Sequence, residues 1–180
     1  MKQKAIFLDR DGTVIEEVNF LATVEETELF SFTIEALKLF RDAGFLLFIT
    51  TNQSGIARGY FDANAVNAIH AKIQNELKAN NLRIESFHFC PHFPDAGCKC
   101  RKPNTGMIEQ ALENFDVDLS QSWMIGDKIL DIEMGFNAGT KTALVKTGYG
   151  KKHQDELTRK PDIIAENLLQ AAKLVISDRG

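Results

Sequence analysis

The chain has 180 residues, 44% of them apolar and 26% charged, a composition suited to a single soluble globular domain spanning 1–180. A formal net charge of −4 speaks against a nucleic-acid-binding surface, and no apolar run approaches the ~20 residues that a membrane-spanning helix needs. The three cysteines are odd in number and crowded between positions 90 and 100, which excludes a disulfide scaffold and points to a reducing, cytoplasmic compartment.

The first apolar run, Ala5-Ile6-Phe7-Leu8, reads as a buried strand and stops too soon to be a signal peptide. Ile34, Leu37 and Phe40 then share a helical stripe that closes at Gly44. Phe45 to Thr50 is a second strand. Asp62 is placed to cap a helix carrying Val66, Ile69, Ile73 and Leu77 on one face, with His70 expected at or near its surface. Ile84 to Phe89 is a third strand and contains His88. Thr105 is expected to cap a helix over Met107 to Phe115. Ser122 to Ile125 forms a fourth strand with Trp123 in the core, Asp131 to Ala138 a helix closed by Gly139, and Thr142 to Val145 a fifth strand. The basic stretch Lys151-Lys152-His153 reads as a solvated loop, and Asn167 to Ile176 as a last amphipathic helix. The apolar runs are continuous rather than alternating, as in strands covered on both faces. Strand–helix alternation of this kind gives an α/β fold with a doubly wound parallel sheet, whose site lies at the carboxyl ends of the strands.

The chemistry-bearing residues sit just after the strands. Asp9-Arg10-Asp11-Gly12-Thr13 follows the first, Thr51-Asn52-Gln53-Ser54-Gly55 the second, Arg101-Lys102-Pro103 comes after the third, and Gly126-Asp127-Lys128, with Asp131 beyond, follows the fourth. Carboxylates converging on one sheet edge repel one another unless a cation is present, and hard oxygen ligands with room for water and phosphate suit Mg²⁺. A carboxylate beside such an ion can attack phosphorus, and a second carboxylate two residues on can protonate the leaving oxygen and later activate water. Lys102, Thr51 and backbone amides would spread over the oxygens of the transferring phosphoryl group.

These four segments, in this order over residues 9 to 131, resemble the four motifs of the haloacid dehalogenase superfamily of phosphohydrolases. The resemblance implies a Rossmann-like fold with Asp9 as nucleophile, Asp11 as acid and base, and Thr51 and Lys102 stabilising the phosphoryl group. It also implies Mg²⁺ on Asp9, Asp127 and the Asp11 backbone carbonyl. Asp131 is left between three roles: orienting Lys128, orienting a metal-bound water, or a helix N-terminal charge favoured by the dipole.

All three cysteines and one histidine fall in Cys90-x-His92-x5-Cys98-x-Cys100, a Cys3His set of the kind that closes around structural zinc. Cys100 immediately precedes Arg101 and Lys102, so a zinc-stabilised loop would anchor residues that meet the substrate. Such a loop narrows the resemblance to a branch containing heptose-bisphosphate and histidinol-phosphate phosphatases. The intervals between motifs are filled by predicted elements, leaving no room for a cap domain, so specificity falls to Glu16–Leu21, Ser54–Tyr60 and the zinc loop. Candidate substrate contacts are Glu17, Phe20, Asn52, Gln53, Ser54, Arg58, Arg101 and Lys128.

The expected partner is a small phosphate ester met by a monomer, with neither nucleic acid nor membrane involved. Cations beyond Lys102 suit a substrate with two phosphates, which favours D-glycero-D-manno-heptose 1,7-bisphosphate losing its 7-phosphate. Histidinol phosphate is the alternative, since Glu16 and Glu17 could meet its ammonium and imidazole. A polynucleotide 3′-phosphatase fits the charge poorly, and a non-catalytic zinc module would have lost the two aspartates that this chain retains.

Overall fold

A computed structural model describes residues 2–178; the outermost residues of the expected 1–180 domain lie outside it. Six parallel strands form one sheet: β1 (Lys4–Leu8), β2 (Phe45–Asn52), β3 (Ser86–Cys90), β4 (Trp123–Gly126), β5 (Lys141–Val145) and β6 (Ile163–Ala165). Their order is β3-β2-β1-β4-β5-β6, and every neighbouring pair is parallel. The chain winds outward from β1 to β3, then returns to place β4 against the other side of β1. That reversal opens a crevice beyond the carboxyl ends of β1 and β4, where such sheets bind ligands.

The helices are α1 (Thr33–Asp42), α2 (Ala63–Lys78), α3 (Gly106–Leu112), α4 (Ile129–Ala138), the single turn α5 (Gly150–His153) and α6 (Leu168–Ser177). Alternation along β1 divides the core. Ile6 and Leu8 face a cluster with Leu37 and Phe40 of α1, Ile69 and Ile73 of α2, and Ala171 and Val175 of α6. Ala5 and Phe7 face the other layer, with Met107 and Ile108 of α3 and Met134 of α4. Both sides of β1 are therefore apolar, which is why its sequence does not alternate. Phe7 stacks on Phe48 at 5.2 Å, and truncating a buried ring of this kind costs about 3–5 kcal/mol.

Most element expectations hold, and the departures have local causes. Asp62 caps α2 by accepting from the Ala65 amide at 2.9 Å. Asn167 caps α6 in the same way through the Gln170 amide at 3.0 Å. Gly44 and Gly139, with φ of 82° and 79°, follow α1 and α4. Thr105 does precede α3 but makes no cap hydrogen bond; its hydroxyl donates to Glu109 Oε1 at 2.6 Å instead. Strand β6 was not expected: three residues are too few to show a period. The stretch around Lys151 is a helical turn rather than a loop, and His153 Nδ1 accepts from the Ile129 amide at 3.1 Å, closing the start of α4. Trp123 is buried in the core, as expected.

Candidate active site

β1 ends by delivering Asp9 into the crevice, with the Asp9 amide donating to the Ile125 carbonyl of β4 at 2.9 Å. Lys102 Nζ donates to Asp9 Oδ1 and to Asp131 Oδ1, both at 2.7 Å, and all three side chains are nearly inaccessible. Burial opposes the charged ammonium of Lys102, but Asp131 and Asp9 outweigh it and hold the pKa above its ordinary value. Burial likewise penalises ionised Asp9, and Lys102 with Lys128 overcomes that, keeping its carboxyl below the usual range.

Asp131 has no oxygen left over. Its Oδ2 accepts from the Lys128 amide at 2.9 Å, so it closes the first turn of α4 while holding Lys102. Of the roles considered for it, orienting the Lys128 ammonium is not what the geometry gives: the bond is to the Lys128 backbone.

Asp9, Asp127 and Asp131 bring carboxylate oxygens within 4.8 Å of one another. Asp9 Oδ2 and Asp127 Oδ1 are buried with no hydrogen-bond partner among the described residues. Burial, then the nearby charge of Asp9, pushes the Asp127 carboxyl up to about 9. Two unpartnered buried carboxylate oxygens side by side are costly unless a cation meets them, and they belong to the two side chains expected to hold Mg²⁺.

Asp11 is gripped from a different side. Arg10 Nε and its second terminal nitrogen donate to Asp11 Oδ2 and Oδ1 at 3.0 and 3.1 Å. Gln53 Nε2 donates to Asp11 Oδ2 at 3.1 Å and to Thr51 Oγ1 at 2.8 Å, and the Thr51 hydroxyl lies 3.4 Å from Asp11 Oδ2. Gln53, expected at the substrate, is thus already bonded to both Asp11 and Thr51. Asn52, also expected there, accepts from the Lys102 amide at 3.1 Å and so ties β2 to the lysine's backbone.

A segment that sequence reasoning missed completes the floor. After β5, the Thr147 hydroxyl donates to the Gly12 carbonyl at 2.6 Å and the Tyr149 amide to Asp127 Oδ2 at 2.8 Å. Gly12 and Gly148 both have positive φ, and a Cβ on either would run into the Asp127 carboxylate. The signal was available: Gly148-Tyr149-Gly150 follows a strand at the same sheet edge as the other motifs.

Above this floor lies a cavity of about 290 Å³ lined by Asp11, Glu17, Phe20, Asn52, Gln53, Ser54, Arg101, Lys128 and Tyr149, among others. Every expected substrate contact except Arg58 therefore faces it. Lys128 Nζ pairs with Glu17 Oε2 at 3.3 Å and lies 5.0 Å from the centre of the Tyr149 ring. Burial and then the charges of Asp9 and Asp127 act on Lys128 in opposite directions, and the charges win, keeping it cationic. Arg58 stands at the rim, its guanidinium 5.6 Å from the Phe20 ring and 5.4 Å from Phe93. Phe20 has φ 53° and meets Tyr60 edge-on at 4.9 Å.

The thiolate cluster gathers beside the lysine loop. Cys90 ends β3, and its Sγ lies 3.5 Å from His92 Nδ1 and 3.6 Å from Cys98 Sγ. Cys100 Sγ lies 3.3 Å from His92 Nδ1 and 3.6 Å from Cys98 Sγ. A zinc tetrahedron has S–S edges of about 3.8 Å and S–N edges of about 3.6 Å, so the four atoms already outline one. Arg101 donates to the His92 carbonyl at 3.3 Å, joining the cluster to the cavity wall.

Comparison with known proteins agrees with this geometry. Residues 99–171 match the HAD-hydrolase-like family. A D-glycero-alpha-D-manno-heptose-1,7-bisphosphate 7-phosphatase of Photorhabdus laumondii is 40% identical, with 97% of each chain covered. The D-glycero-beta-D-manno-heptose-1,7-bisphosphate 7-phosphatase of Pseudomonas aeruginosa is 34% identical over 98% of this chain and 99% of its own. The crystal structure of a D,D-heptose 1,7-bisphosphate phosphatase from B. bronchiseptica, complexed with magnesium and phosphate, superposes with a TM-score of 0.89 at 33% identity, covering 96% and 98%. The carboxylate–lysine floor, the parallel sheet that assembles it and these near full-length likenesses lead to one conclusion: the chain belongs to the haloacid dehalogenase-like phosphatases, in the family of the D-glycero-D-manno-heptose-1,7-bisphosphate 7-phosphatases.

Proposed function

We propose that this protein, as a cytoplasmic monomer folded as one domain over 1–180, hydrolyses the 7-phosphate of D-glycero-D-manno-heptose 1,7-bisphosphate through a phosphorylated Asp9. The observation that carries the reading is the pairing of Lys102 with Asp9, whose chain neighbours Arg101 and Asp11 line a cavity together with Lys128. One phosphate would meet the nucleophile while the cations above receive the other.

Asp9 forms an O–P bond as the substrate's ester O–P bond breaks, and Asp11 acts as general acid, giving a proton to the leaving oxygen. Water then attacks the same phosphorus, its proton passes to Asp11, and the Asp9 O–P bond breaks to release inorganic phosphate. Lys102 and Thr51 neutralise and orient the transferring oxygens throughout. Asp131 and Asn52 hold Lys102 in place, and Gln53 holds Thr51. Mg²⁺, held by Asp9, Asp127 and the Asp11 carbonyl, would supply charge neutralisation at the reacting phosphate. Zinc on Cys90, His92, Cys98 and Cys100 would be structural, since four protein ligands leave no open position.

Histidinol phosphate needs carboxylates for its ammonium and imidazole, and Glu17 is already paired with Lys128. The test is phosphate release from the heptose bisphosphate and from histidinol phosphate at equal concentration with Mg²⁺. The expected outcome is a kcat/KM at least about tenfold higher for the heptose bisphosphate, with heptose 1-phosphate as product. Equal rates, or a preference for histidinol phosphate, overturn the substrate assignment.

A further inference from the structure

His70 takes no part in the reaction as set out above, yet it contacts the arginine that holds the acid/base carboxylate. From the sequence it is expected at the surface or half-buried; in the fold it is buried, 6% exposed, on the inner face of α2. Its ring stacks on Phe87 of β3 with centroids 4.7 Å apart and planes 22° from parallel. Its Nε2 lies 3.3 Å from a terminal nitrogen of Arg10. A guanidinium only donates, so Nε2 must accept, and the ring proton sits on Nδ1. Burial and then the Arg10 charge push the imidazole pKa down to about 3, so the ring stays neutral.

Arg10 has no exposed surface. Two of its three nitrogens form the fork on Asp11, and the third is the one that faces His70. Remove the imidazole acceptor and that third nitrogen, buried with the rest of Arg10, loses the one side-chain acceptor it has among the described residues. The buried guanidinium then satisfies its donors only by pivoting, and Asp11 moves with it. A carboxylate that must alternately give and take a proton at a fixed phosphate tolerates little displacement: an error of ~1 Å can cost about 10²-fold.

We propose that His70 is a positioning residue for phosphoryl transfer, accepting a hydrogen bond from Arg10 and so fixing the guanidinium fork that aims Asp11. Its role rests on the reading of Asp11 as acid and base. His70 exchanges no proton itself; both transfers remain between Asp11 and the leaving oxygen or water.

Two substitutions separate positioning from packing. His70→Gln can place a carbonyl oxygen near the Nε2 position and loses the stacked ring. His70→Phe keeps the ring and loses the acceptor. With the full-length, metal-loaded enzyme, the Gln variant should stay within about threefold of wild-type kcat, while the Phe variant should lose about 10- to 100-fold with KM within about twofold. With 4-nitrophenyl phosphate, whose leaving group needs no proton, the Phe variant should release a burst of nitrophenolate near one per site and then turn over slowly. Hydrolysis of the intermediate still needs Asp11, and a purely structural defect gives no such burst.

The reverse order, Phe active and Gln impaired, overturns the proposal, as does a Phe variant at wild-type kcat. Asp11→Asn measured alongside keeps the two readings apart. If it is inactive while His70→Phe is unaffected, His70 has no positioning role; if Asp11→Asn itself turns over normally, the acid/base assignment is what fails. Should His70→Phe not fold, nitrogen NMR of the wild-type ring and the Gln variant's kcat decide. A protonated Nε2, or a folded Gln variant more than tenfold down, overturns the proposal.

Discussion

The molecule carries two clusters of side chains able to hold a metal, far apart in sequence and brought near one another by the loop from Cys100 to Lys102, and they are built on opposite principles. Asp9 and Asp127 are buried, each with one oxygen that no described donor meets, and Asp11 and Lys128, close to them in the chain, line a cavity. Cys90, His92, Cys98 and Cys100 lie against one another instead, four of their separations at 3.3 to 3.6 Å. Hard oxygens beside an opening suit a cation that shares a phosphate with the protein; soft ligands in a closed tetrahedron suit one that never leaves. Lys102 joins the two, two residues after Cys100 and bonded to Asp9. The open cluster should therefore govern chemistry without governing the fold, and the closed one should govern both.

The sharpest way to break that distinction is at the nucleophile. Asp9→Asn should lower kcat by about 10⁴-fold or more while circular dichroism and the melting temperature stay near wild type. Removing Mg²⁺ with a chelator should abolish turnover in the same way, reversibly and without unfolding. Near-native activity in the variant, or unfolding on Mg²⁺ removal, would erase the contrast.

The closed cluster predicts a mixed outcome. Cys98→Ser should release zinc, destabilise by about 4 kcal/mol, or about 10 °C in Tm, and lower activity because Arg101 and Lys102 lose their anchor. Metal analysis and calorimetry on one sample check this. A variant that keeps one zinc per chain, or a wild type fully active without zinc, contradicts it.

A buried titratable group that contributes no ligand to either cluster offers a control. The His70 ring is neutral in the folded protein down to about pH 3, whereas in the unfolded chain it takes up a proton below about 6.5. Stability is complete above pH 6.5 and falls as pH drops from there toward 3, because the unfolded state binds the extra proton. Between pH 7 and 5 this amounts to about 2 kcal/mol in the wild type, and His70→Gln should lack that portion of the decline. Denaturant titrations at the two pH values measure the difference; parallel curves would show that the ring is protonated in the fold.

The smallest effect should come at the seam between the clusters. Arg101→Lys keeps the charge but loses the planar fork, so kcat/KM for a heptose bisphosphate should fall about tenfold relative to 4-nitrophenyl phosphate, which has no second phosphate to hold. An unchanged ratio would remove Arg101 from substrate recognition.

Much of this was legible in the residues before any fold was known. Continuous apolar runs mark β1, β2, β4 and β5, since a strand covered on both faces cannot alternate; β3, at the sheet edge and half-buried, alternates instead. Each of the four motifs follows one of these strands, or the loop after it, so their convergence on one edge follows from parallel pairing alone. The cysteine spacing is local enough to read directly. Strand β6 escaped because three residues carry no period. The segment from Thr147 to Gly150 was passed over, although Gly148-Tyr149-Gly150 follows a strand at the same edge, because it contributes one hydroxyl and one backbone amide rather than a charged side chain.

What the sequence by itself determined was the inventory: the fold class, the acidic, hydroxyl and lysine groups of the floor, and the residues that make up each cluster. Only the tertiary structure decided how those groups divide their bonds. It assigned both Asp131 oxygens to Lys102 and the start of α4, turned Asn52 and Gln53 onto neighbouring site residues, and put His70 against Arg10 rather than in solvent. The reason is physical. An identity states what a side chain can donate or accept, but its partner depends on which groups burial has cut off from water and brought within about 3 Å, and that is set by packing between elements distant in the chain.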